Sequence, residues 1–413
     1  MLLFLLGLAI LIVGYCTYGK FIENILEPDD RPTPAKTRAD GVDYVELPHW
    51  KNMLIQLLNI AGVGPVIGVI LGIKFGVIAF VIIPIGNIIG GAVHDFTAGM
   101  MSLRHDGANL PALIRMTTGK TFYFIFSLFM IFLLLLVVAV FINIPARLID
   151  GFWPSDALFW TAVLCIFLYY IAATLFPVDK IIGSVYPLFG AMLILGTLAI
   201  FGVLMYEAIG NPALLEESAA FKAAMFTPEN NMPILPMLFV TIACGILSGF
   251  HATQSPIIAR TMKHEKQARS SFYGMMVVEG VIGMIWAAAG LAIYNLFPQM
   301  MAENPTNVLT EITTHFLGRG VGAITVISVI ILAITSGDTA MRSMRLSLAE
   351  IVGVDQKSIR NRIMLCLPLI AIVSGLLWWS NQSAKTFNQL WNYFAWQPVG
   401  VRFLALGNQC PFR

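Results

Sequence analysis

Charged residues are scarce in this chain of 413 residues, and that scarcity excludes an ordinary soluble domain. Charged side chains account for 12% of the residues, whereas a soluble domain is about a quarter charged. Hydrophobic residues account for 58%, and the mean hydropathy is +0.80. The formal net charge of +2 comes with neither a basic stripe nor an acidic tail, so we expect no nucleic-acid partner. The composition predicts an integral protein of the lipid bilayer.

Several chemical motifs are also missing from the sequence. The five cysteines show no CxxC spacing, which favours small core residues over disulfides or metal ligands. The segment that begins at His264 and Glu265 lacks the second histidine of a zinc-protease helix, so we expect no metal site. No GxxxxGK[ST] phosphate loop occurs, which argues against direct coupling to ATP by this chain. We therefore expect no cofactor.

Ten apolar runs are long enough, at about 20 residues each, to cross a bilayer. A partial eleventh begins near Phe387. The first run has no basic n-region and no cleavage motif, so we expect an uncleaved helix there. The predicted spans are 1–19, 52–73, 75–103, 121–144, 156–176, 182–208, 236–259, 273–297, 320–341 and 363–380.

Lysine and arginine are divided unevenly between the connections of these spans. Alternate connections carry 18 of them, and the remaining connections carry 5. The positive-inside rule then places the richer set in the cytoplasm and the N-terminus outside. The richer connections are 20–51, 104–120, 177–181, 260–272 and 342–362.

Two of the predicted spans, 52–73 and 236–259, are interrupted near their centres by glycine and proline. Hydrocarbon cannot satisfy the backbone groups freed there, so such breaks persist only where they line a cavity or bind something. Matched breaks in the two halves of a chain indicate the substrate site of a secondary transporter. The residues that we expect at the substrate are Gly62, Gly64, Pro65, Ser248, Gly249, His251, Thr253 and Gln254.

The breaks also divide the chain into two repeats. Apart from the first helix, 1–19, the spans form two sets of five, 52–208 and 236–396, and each set begins with a broken span. Because five is odd, the two sets have opposite topology, which is the inverted-repeat plan of the LeuT class. We predict an all-α polytopic membrane protein of about 10–11 transmembrane helices. A LeuT-like 5+5 inverted repeat follows one extra helix in a single domain, 1–396.

Several long strings of residues resemble the carbon starvation protein A family. They cover 40–45, 60–68, 91–96, 104–107, 248–256 and 335–342, in the family's order. Members of that family are inner-membrane transporters linked to peptide uptake and, in some members, to proton-coupled pyruvate uptake. They are often induced when carbon is scarce. The resemblance implies a proton-coupled importer of peptides or pyruvate in the inner (plasma) membrane, acting in the response to carbon starvation.

The C-terminal tail departs from the family's pattern. Where the family continues with apolar helix after Trp396, the segment 397–413 lacks helical periodicity. We expect an atypical tail there and an incomplete second repeat. A truncated homologue that does not transport is therefore an alternative.

Ionisable side chains inside the spans are candidates for ion coupling, because their burial is costly and usually functional. Glu279 has no basic residue within four positions, whereas Asp338 could pair with Arg342 at i+4. His94 and Asp95 are adjacent, and adjacent helix positions point about 100° apart, so we expect them to face different neighbours. The coupling candidates are Glu279, Asp338, Thr335, Ser336, Thr339, His94 and Asp95.

The sequence leaves the coupling ion and the substrate open. The hydroxyls near Asp338 could build a sodium site with backbone carbonyls, so a sodium-coupled carboxylate or amino-acid symporter is the alternative. Half-helices that begin near Gly64 and Gly249 offer positive partial charge to a carboxylate, which suits pyruvate or a peptide C-terminus equally. A channel would need a polar stripe along several spans, and an intramembrane enzyme would need reactive groups at matched depth. Neither pattern occurs, so we expect no enzyme.

Overall fold

The computed structural model describes residues 1–39, 44–175, 179–225, 251–354, 358–383, 386–387, 389–391 and 393–394, and its regular elements are helices. Within these residues, eight helices and one bent helix pair are long and apolar enough to cross a membrane. They are Leu2–Leu26, His49–Ile60 with Gly64–Phe75, Ala79–Arg104, Lys120–Phe152, Asp156–Leu175, Leu188–Gly210, Glu265–Leu296, Pro305–Val352 and Ile359–Ser380.

These helices agree with the spans that hydropathy predicts, apart from one that is longer. Of the span predicted at 236–259, residues 236–250 lie outside the described residues, and the rest forms the helix His251–Ala259. Pro305–Val352 is longer than the predicted 320–341 because a helix also occupies part of the predicted connection before it, and the span continues into part of the connection after it. The two helices meet at Gly318, whose φ of 71° and ψ of 171° are not helical. Only glycine adopts such a backbone conformation without strain.

Three helices that enter the centre of the bundle contain a turn of π-helix. A π turn is rare and is frequently found at functional sites. In the first case, the π turn follows the bend after Ile60. In the other two, it is continuous with the α-helices Val93–Arg104 and Met275–Leu296. The π turns are Gly64–Gly68, Gly86–Ala92 and Arg269–Gly274.

Shorter helices connect the spans at the ends of the bundle. Leu110–Thr118 begins after the loop at Arg104 and ends at Gly119, whose φ is 88°. The remaining short elements are Pro34–Thr37, Pro212–Leu215, Ala219–Met225, Glu265–Gln267 and Pro298–Met301.

The first helix packs directly against the bundle. Phe4 and Leu11 are fully buried in the common hydrophobic core. Gly7 lies so close to the Phe80 carbonyl oxygen that a β-carbon there would approach it to 2.6 Å, and the Met284 side chain lies on the same side. Small residues permit such close helix packing in membranes. The first helix therefore contacts a helix of each predicted repeat.

Ion pairs tie together the connections on the face that we predict to be cytoplasmic. Glu265, only 1% exposed, accepts hydrogen bonds from Arg104 Nε at 3.0 Å and Nη2 at 2.7 Å. Arg31 Nε lies 3.5 Å from its other oxygen. Arg31 also donates to Asp29, and these hydrogen bonds hold the pKa of the Asp29 carboxyl well below its usual range. The loop that follows the first helices is thereby fixed to the connection 260–272.

We expect Glu265→Ala to lower the free energy of unfolding by about 1–3 kcal/mol, because it leaves the partly buried Arg104 donors without their carboxylate. Thermal unfolding of the purified protein in detergent would measure the change. Arg38→Ala is the matched control, since it removes an ion pair with Asp106 in which both side chains are more than half exposed. Such a surface pair contributes less than about 1 kcal/mol. Equal shifts for the two variants would contradict the prediction.

Candidate functional site

The first predicted break is present as a bend in a buried helix. The segments His49–Ile60 and Gly64–Phe75 meet at 51°, and Ala61, Val63 and Val66 at the bend are fully buried. Pro65 has no backbone N–H, so it suits the start of the second segment, where an intrahelical partner is missing. The bend confirms the prediction that the span 52–73 is discontinuous.

The break at Gly62 faces Ser336, which is one of the predicted coupling residues. A β-carbon at Gly62 would lie 3.2 Å from Ser336 Oγ, on the helix Pro305–Val352. Ser336 is 1% exposed, and its hydroxyl has no hydrogen-bond partner within the described part of the chain. Because buried hydroxyls are normally hydrogen-bonded, this one marks a position where a ligand could bind.

Four ionisable side chains from three helices form a buried cluster beside the break. His251 Nδ1 lies 3.6 Å from Asp95 Oδ2, and His251 Nε2 lies 3.4 Å from Glu279 Oε1. His94 Nδ1 lies 3.3 Å from the other oxygen of Asp95. All four side chains are fully buried. We call His94, Asp95, His251 and Glu279 the acid–histidine cluster.

Amide side chains connect this cluster with the broken helix. Gln56 Nε2 donates to Asp95 Oδ2 at 3.2 Å, and Gln56 lies six residues before Gly62. Gln254 lies one helical turn after His251 and is 1% exposed. Both of its amide atoms are buried without a hydrogen-bond partner among the residues that the structure describes. A polar ligand could therefore be accepted next to the acid–histidine cluster.

The acid–histidine cluster can store a proton. A buried carboxylate is costly unless a proton or an opposite charge neutralises it. The group that lies beside both acids is an imidazole, which becomes positive only when it binds a proton. Each proton gained or lost therefore changes the charge balance of a site that is shielded from water.

Asp338 lies in a second polar group, on the helix that carries Ser336. The Tyr169 hydroxyl donates to Asp338 Oδ2 at 2.7 Å, and the Thr339 hydroxyl lies 3.2 Å from Oδ1. Thr339 also donates to the Thr335 carbonyl at 3.1 Å, and the Thr335 hydroxyl donates to a carbonyl of its own helix at 3.0 Å. Asp338 is 3% exposed. The predicted coupling residues are thus divided between two groups.

One expectation from the sequence needs correction. His94 and Asp95 were expected to face different neighbours, and this is wrong, because their side chains approach to within 3.3 Å of each other. Glu279 has no basic residue within four positions in sequence, but in space His251, from the predicted second break, lies 3.4 Å away. Of the predicted substrate residues there, Thr253 and Gln254 lie on the helix His251–Ala259. Ser248 and Gly249 lie outside the described residues.

Sequence reasoning missed Gln56 and Tyr169. A signal for Gln56 is present, because the polar residues Asn52, Gln56 and Asn59 recur at the spacing of one helix face and are all buried. Asn52 exchanges two hydrogen bonds with Thr261, at 3.0 and 2.8 Å. Tyr169 follows an apolar run and has no such repeat, so nothing in the sequence singles it out.

A bundle of spanning helices with a buried discontinuous helix defines a polytopic membrane protein of the LeuT-like fold. The chain belongs to the carbon starvation protein CstA family, whose family model matches residues 1–168 and 153–318. Named relatives of the chain are membrane transporters. The fold agrees with solved structures at low sequence identity. A Na⁺-coupled sialic acid symporter superposes with a TM-score of 0.57 at 12% identity, over 97% of this chain and 85% of the symporter. MhsT in complex with L-phenylalanine superposes with a TM-score of 0.55 at 12% identity, over 88% of this chain and 99% of MhsT.

Relatives in sequence extend over most of this chain. An uncharacterised membrane protein of Haemophilus influenzae is 41% identical over 71% of this chain and 91% of its own length. The peptide transporter CstA of Bacillus subtilis is 26% identical over 77% of this chain and 65% of its own length. The pyruvate/proton symporter BtsT of Escherichia coli is 24% identical over 70% of this chain and 48% of its own length. The chain thus spans nearly all of the first relative, but only about half to two thirds of the length of the two transporters.

Proposed function

We propose that this protein is a secondary active transporter in the inner membrane. It imports a small substrate that carries a carboxylate, either pyruvate or a peptide, and couples this import to the entry of protons. Its N-terminus lies outside, and it serves uptake when carbon is scarce. The observation that carries the proposal is the acid–histidine cluster, which buries two carboxylates against His251 beside a discontinuous helix. The names of relatives, a peptide transporter and a pyruvate/proton symporter, agree with this class of substrate and coupling.

In this proposal the substrate binds where the two broken segments meet. Backbone N–H groups freed near Gly62 and Gly64 present positive partial charge to the substrate carboxylate, and Pro65, which has no N–H of its own, begins the second segment beside them. The second broken segment contributes a matching set with polar side chains. That set consists of Ser248, Gly249, His251, Thr253 and Gln254.

The contacts of His251 support proton coupling. A proton on the cluster makes His251 positive between Asp95 and Glu279, which stabilises the two acids in their charged form. Loss of that proton leaves two buried carboxylates beside a neutral imidazole, and this state is costly. The protein therefore changes state together with its proton. Because Gln56 links Asp95 to the broken helix, a change in the cluster reaches the substrate site directly.

Sodium is the second candidate for the coupling ion, and Ser336 favours it. Its hydroxyl has no hydrogen-bond partner among the described residues and faces the break at Gly62. A break in a helix frees backbone carbonyls. Hydroxyl and carbonyl oxygens are suitable ligands for a small hard cation, and unwound transporter helices use them in this way. Thr335, Asp338 and Thr339 lie within three residues of Ser336 and would support such a site.

Uptake into proteoliposomes without sodium separates the two ions. We expect an imposed gradient of two pH units, with the acid compartment outside, to drive accumulation of pyruvate or of a dipeptide. If one proton enters with each monocarboxylate, transport is electroneutral, and each pH unit supplies about 1.4 kcal/mol, which is a factor of ten in concentration. Two pH units therefore support up to about 100-fold accumulation. A proton uncoupler should abolish the accumulation.

The first control uses the same vesicles with a sodium gradient and no pH gradient. The second control compares Ser336→Ala with the parent protein under both gradients. Accumulation that requires sodium, survives the uncoupler and is lost in Ser336→Ala would assign the coupling to the sodium site instead. Counterflow of substrate in the absence of ATP tests the class itself, because a secondary transporter exchanges substrate without nucleotide.

A further inference from the structure

A separate group of polar and aromatic side chains surrounds Arg147, near the end of the helix Lys120–Phe152. The Arg147 guanidinium lies 4.2 Å from the ring centre of Phe387 and 5.6 Å from that of Phe159. It is the one lysine or arginine of the connection 145–155, on the face that we predict to be outside. Stacking between two rings fixes the plane of the guanidinium and leaves its edge for hydrogen bonds.

A chain of amides holds one edge of the guanidinium. Asn143 Nδ2 donates to Ser380 Oγ at 3.1 Å, and Asn381 Nδ2 donates to Asn143 Oδ1 at 2.6 Å. These bonds orient the Asn381 amide, so that its oxygen accepts from Arg147 Nη2 at 3.0 Å. Asp150, one turn later, accepts from the backbone N–H of Ser155 at 2.9 Å. The position of Arg147 is thus determined by rings and amides, while the Asp150 carboxylate is near enough to interact with its charge without forming an ion pair within 4 Å in the part of the chain that the structure describes.

Two buried donors in this group have no acceptor in the part of the chain that the structure describes. They are Arg147 Nε and Trp391 Nε1. Phe387 stacks on Arg147, and Phe394 packs against Phe141 with ring centres 6.0 Å apart. Trp391 lies between Phe387 and Phe394 in sequence, and its ring centre lies 5.4 Å from that of Phe394. The flanking contacts of Phe387 with Arg147 and of Phe394 with Phe141 bring the segment that carries Trp391 to the same stretch of the helix Lys120–Phe152.

The chemistry of these donors selects an anion. A guanidinium and an indole N–H donate and cannot accept, and burying them without an acceptor is destabilising. A carboxylate supplies two acceptor oxygens and a compensating charge, and it forms strong hydrogen bonds with arginine. The apolar rings of Phe159 and Phe387 suit a small organic acid better than a hydrated inorganic ion.

We propose that Arg147 and Trp391 form an outer binding site for the carboxylate of the transported substrate, separate from the helix breaks. Arg147 supplies the charge, Trp391 supplies an N–H, and Asn381 positions the guanidinium. The site takes monocarboxylates and peptide C-termini and rejects their amides. That this carboxylate is the transported one rests on the proposed function, whereas binding at the site does not.

The test compares initial rates of pyruvate and alanyl-alanine uptake in proteoliposomes at varied concentration. Arg147→Gln should raise KM at least tenfold with kcat within twofold of the parent. Trp391→Phe, which keeps the ring and removes the N–H, should raise KM several-fold. Arg147→Lys should lie between Arg147→Gln and the parent. Trp378→Phe is the control, since Trp378 is 65% exposed, and it should change nothing. A KM within twofold of the parent in both Arg147→Gln and Trp391→Phe would overturn the proposal.

A parent protein that transports neither compound would refute the proposed function, and binding alone would then decide. Tryptophan fluorescence is measured while alanyl-alanine is added, or alanyl-alaninamide, which keeps the amino group and lacks the carboxylate. A response to the free acid alone that persists in Trp378→Phe and disappears in Trp391→Phe and Arg147→Gln supports the outer site. An undiminished response in Trp391→Phe, or no response in the parent protein, rejects it.

Discussion

Replacing Glu279 with glutamine is expected to stop concentrative uptake while substrate exchange continues. Glutamine keeps the shape of the side chain and its hydrogen bonding, and it removes the proton that the carboxyl group binds. In the protein this carboxyl group is fully buried, 3.4 Å from His251. Without it, the cluster retains one acid, Asp95, for the charge on His251. The binding of substrate and the binding of a proton should then no longer depend on each other.

The measurement is the ratio of internal to external substrate at steady state under a pH gradient. We expect accumulation by the parent to approach the limit of about tenfold per pH unit and Glu279→Gln to stay near unity. Counterflow should remain within a few-fold of the parent. Glu216→Gln serves as the control because the side chain of Glu216 is 66% exposed. If Glu279→Gln accumulates substrate as well as the parent, Glu279 is structural and Asp338 becomes the main coupling candidate.

A bulky side chain at Gly62 is expected to abolish substrate binding while the protein still inserts and folds. A β-carbon at this position already lies 3.2 Å from Ser336 Oγ, and a leucine would place three more carbons in the space between the two helices. Overpacking of this kind costs about 1–3 kcal/mol, and it occupies the volume that the proposed substrate needs. We expect Gly62→Leu to lower affinity at least about 100-fold, and Gly62→Ala about tenfold.

Affinity is measured by binding of labelled substrate to purified protein, with thermal unfolding recorded on the same samples. Gly202→Leu is the matched control, because nothing lies within 4 Å of a β-carbon at Gly202, which is also on a spanning helix. Gly64→Leu should behave like Gly62→Leu, since Gly64 begins the second segment of the broken helix. Wild-type affinity in folded Gly62→Leu and Gly64→Leu proteins would place the substrate elsewhere.

The fold could be predicted because the bilayer imposes simple rules. Runs of about 20 apolar residues become spans, and Gly62 and Pro65 interrupt one of them where it bends by 51°. The connection before 320–341 is the exception. Its helix ends at Gly318, and a connecting helix carries no signal in a hydropathy profile.

The composition of the site could be predicted, but its pairing could not. Glu279 and Asp338 stand out because acids are costly in a membrane. The contacts of His251 join Asp95, 156 residues earlier, with Glu279, 28 residues later. Such partners depend on the depth and rotation of separate helices, and periodicity within one helix contains neither quantity. The side-chain contact between His94 and Asp95 was missed for a simpler reason, since backbone geometry fixes where Cβ points but not where a side chain ends.

The π turns explain part of this difficulty, and they have a consequence for the design of the protein. A helix that takes up one additional residue in a π turn presents every later residue about 100° around its axis from the face that an uninterrupted α-helix would show. One such turn, Gly86–Ala92, directly precedes His94 and Asp95, and another, Arg269–Gly274, precedes Glu279. Asp95 and Glu279 therefore reach His251 from helix faces that the preceding π turns have rotated about the helix axis. Straightening either π turn into α-helix would swing its acid away from the imidazole without altering a single residue of the site.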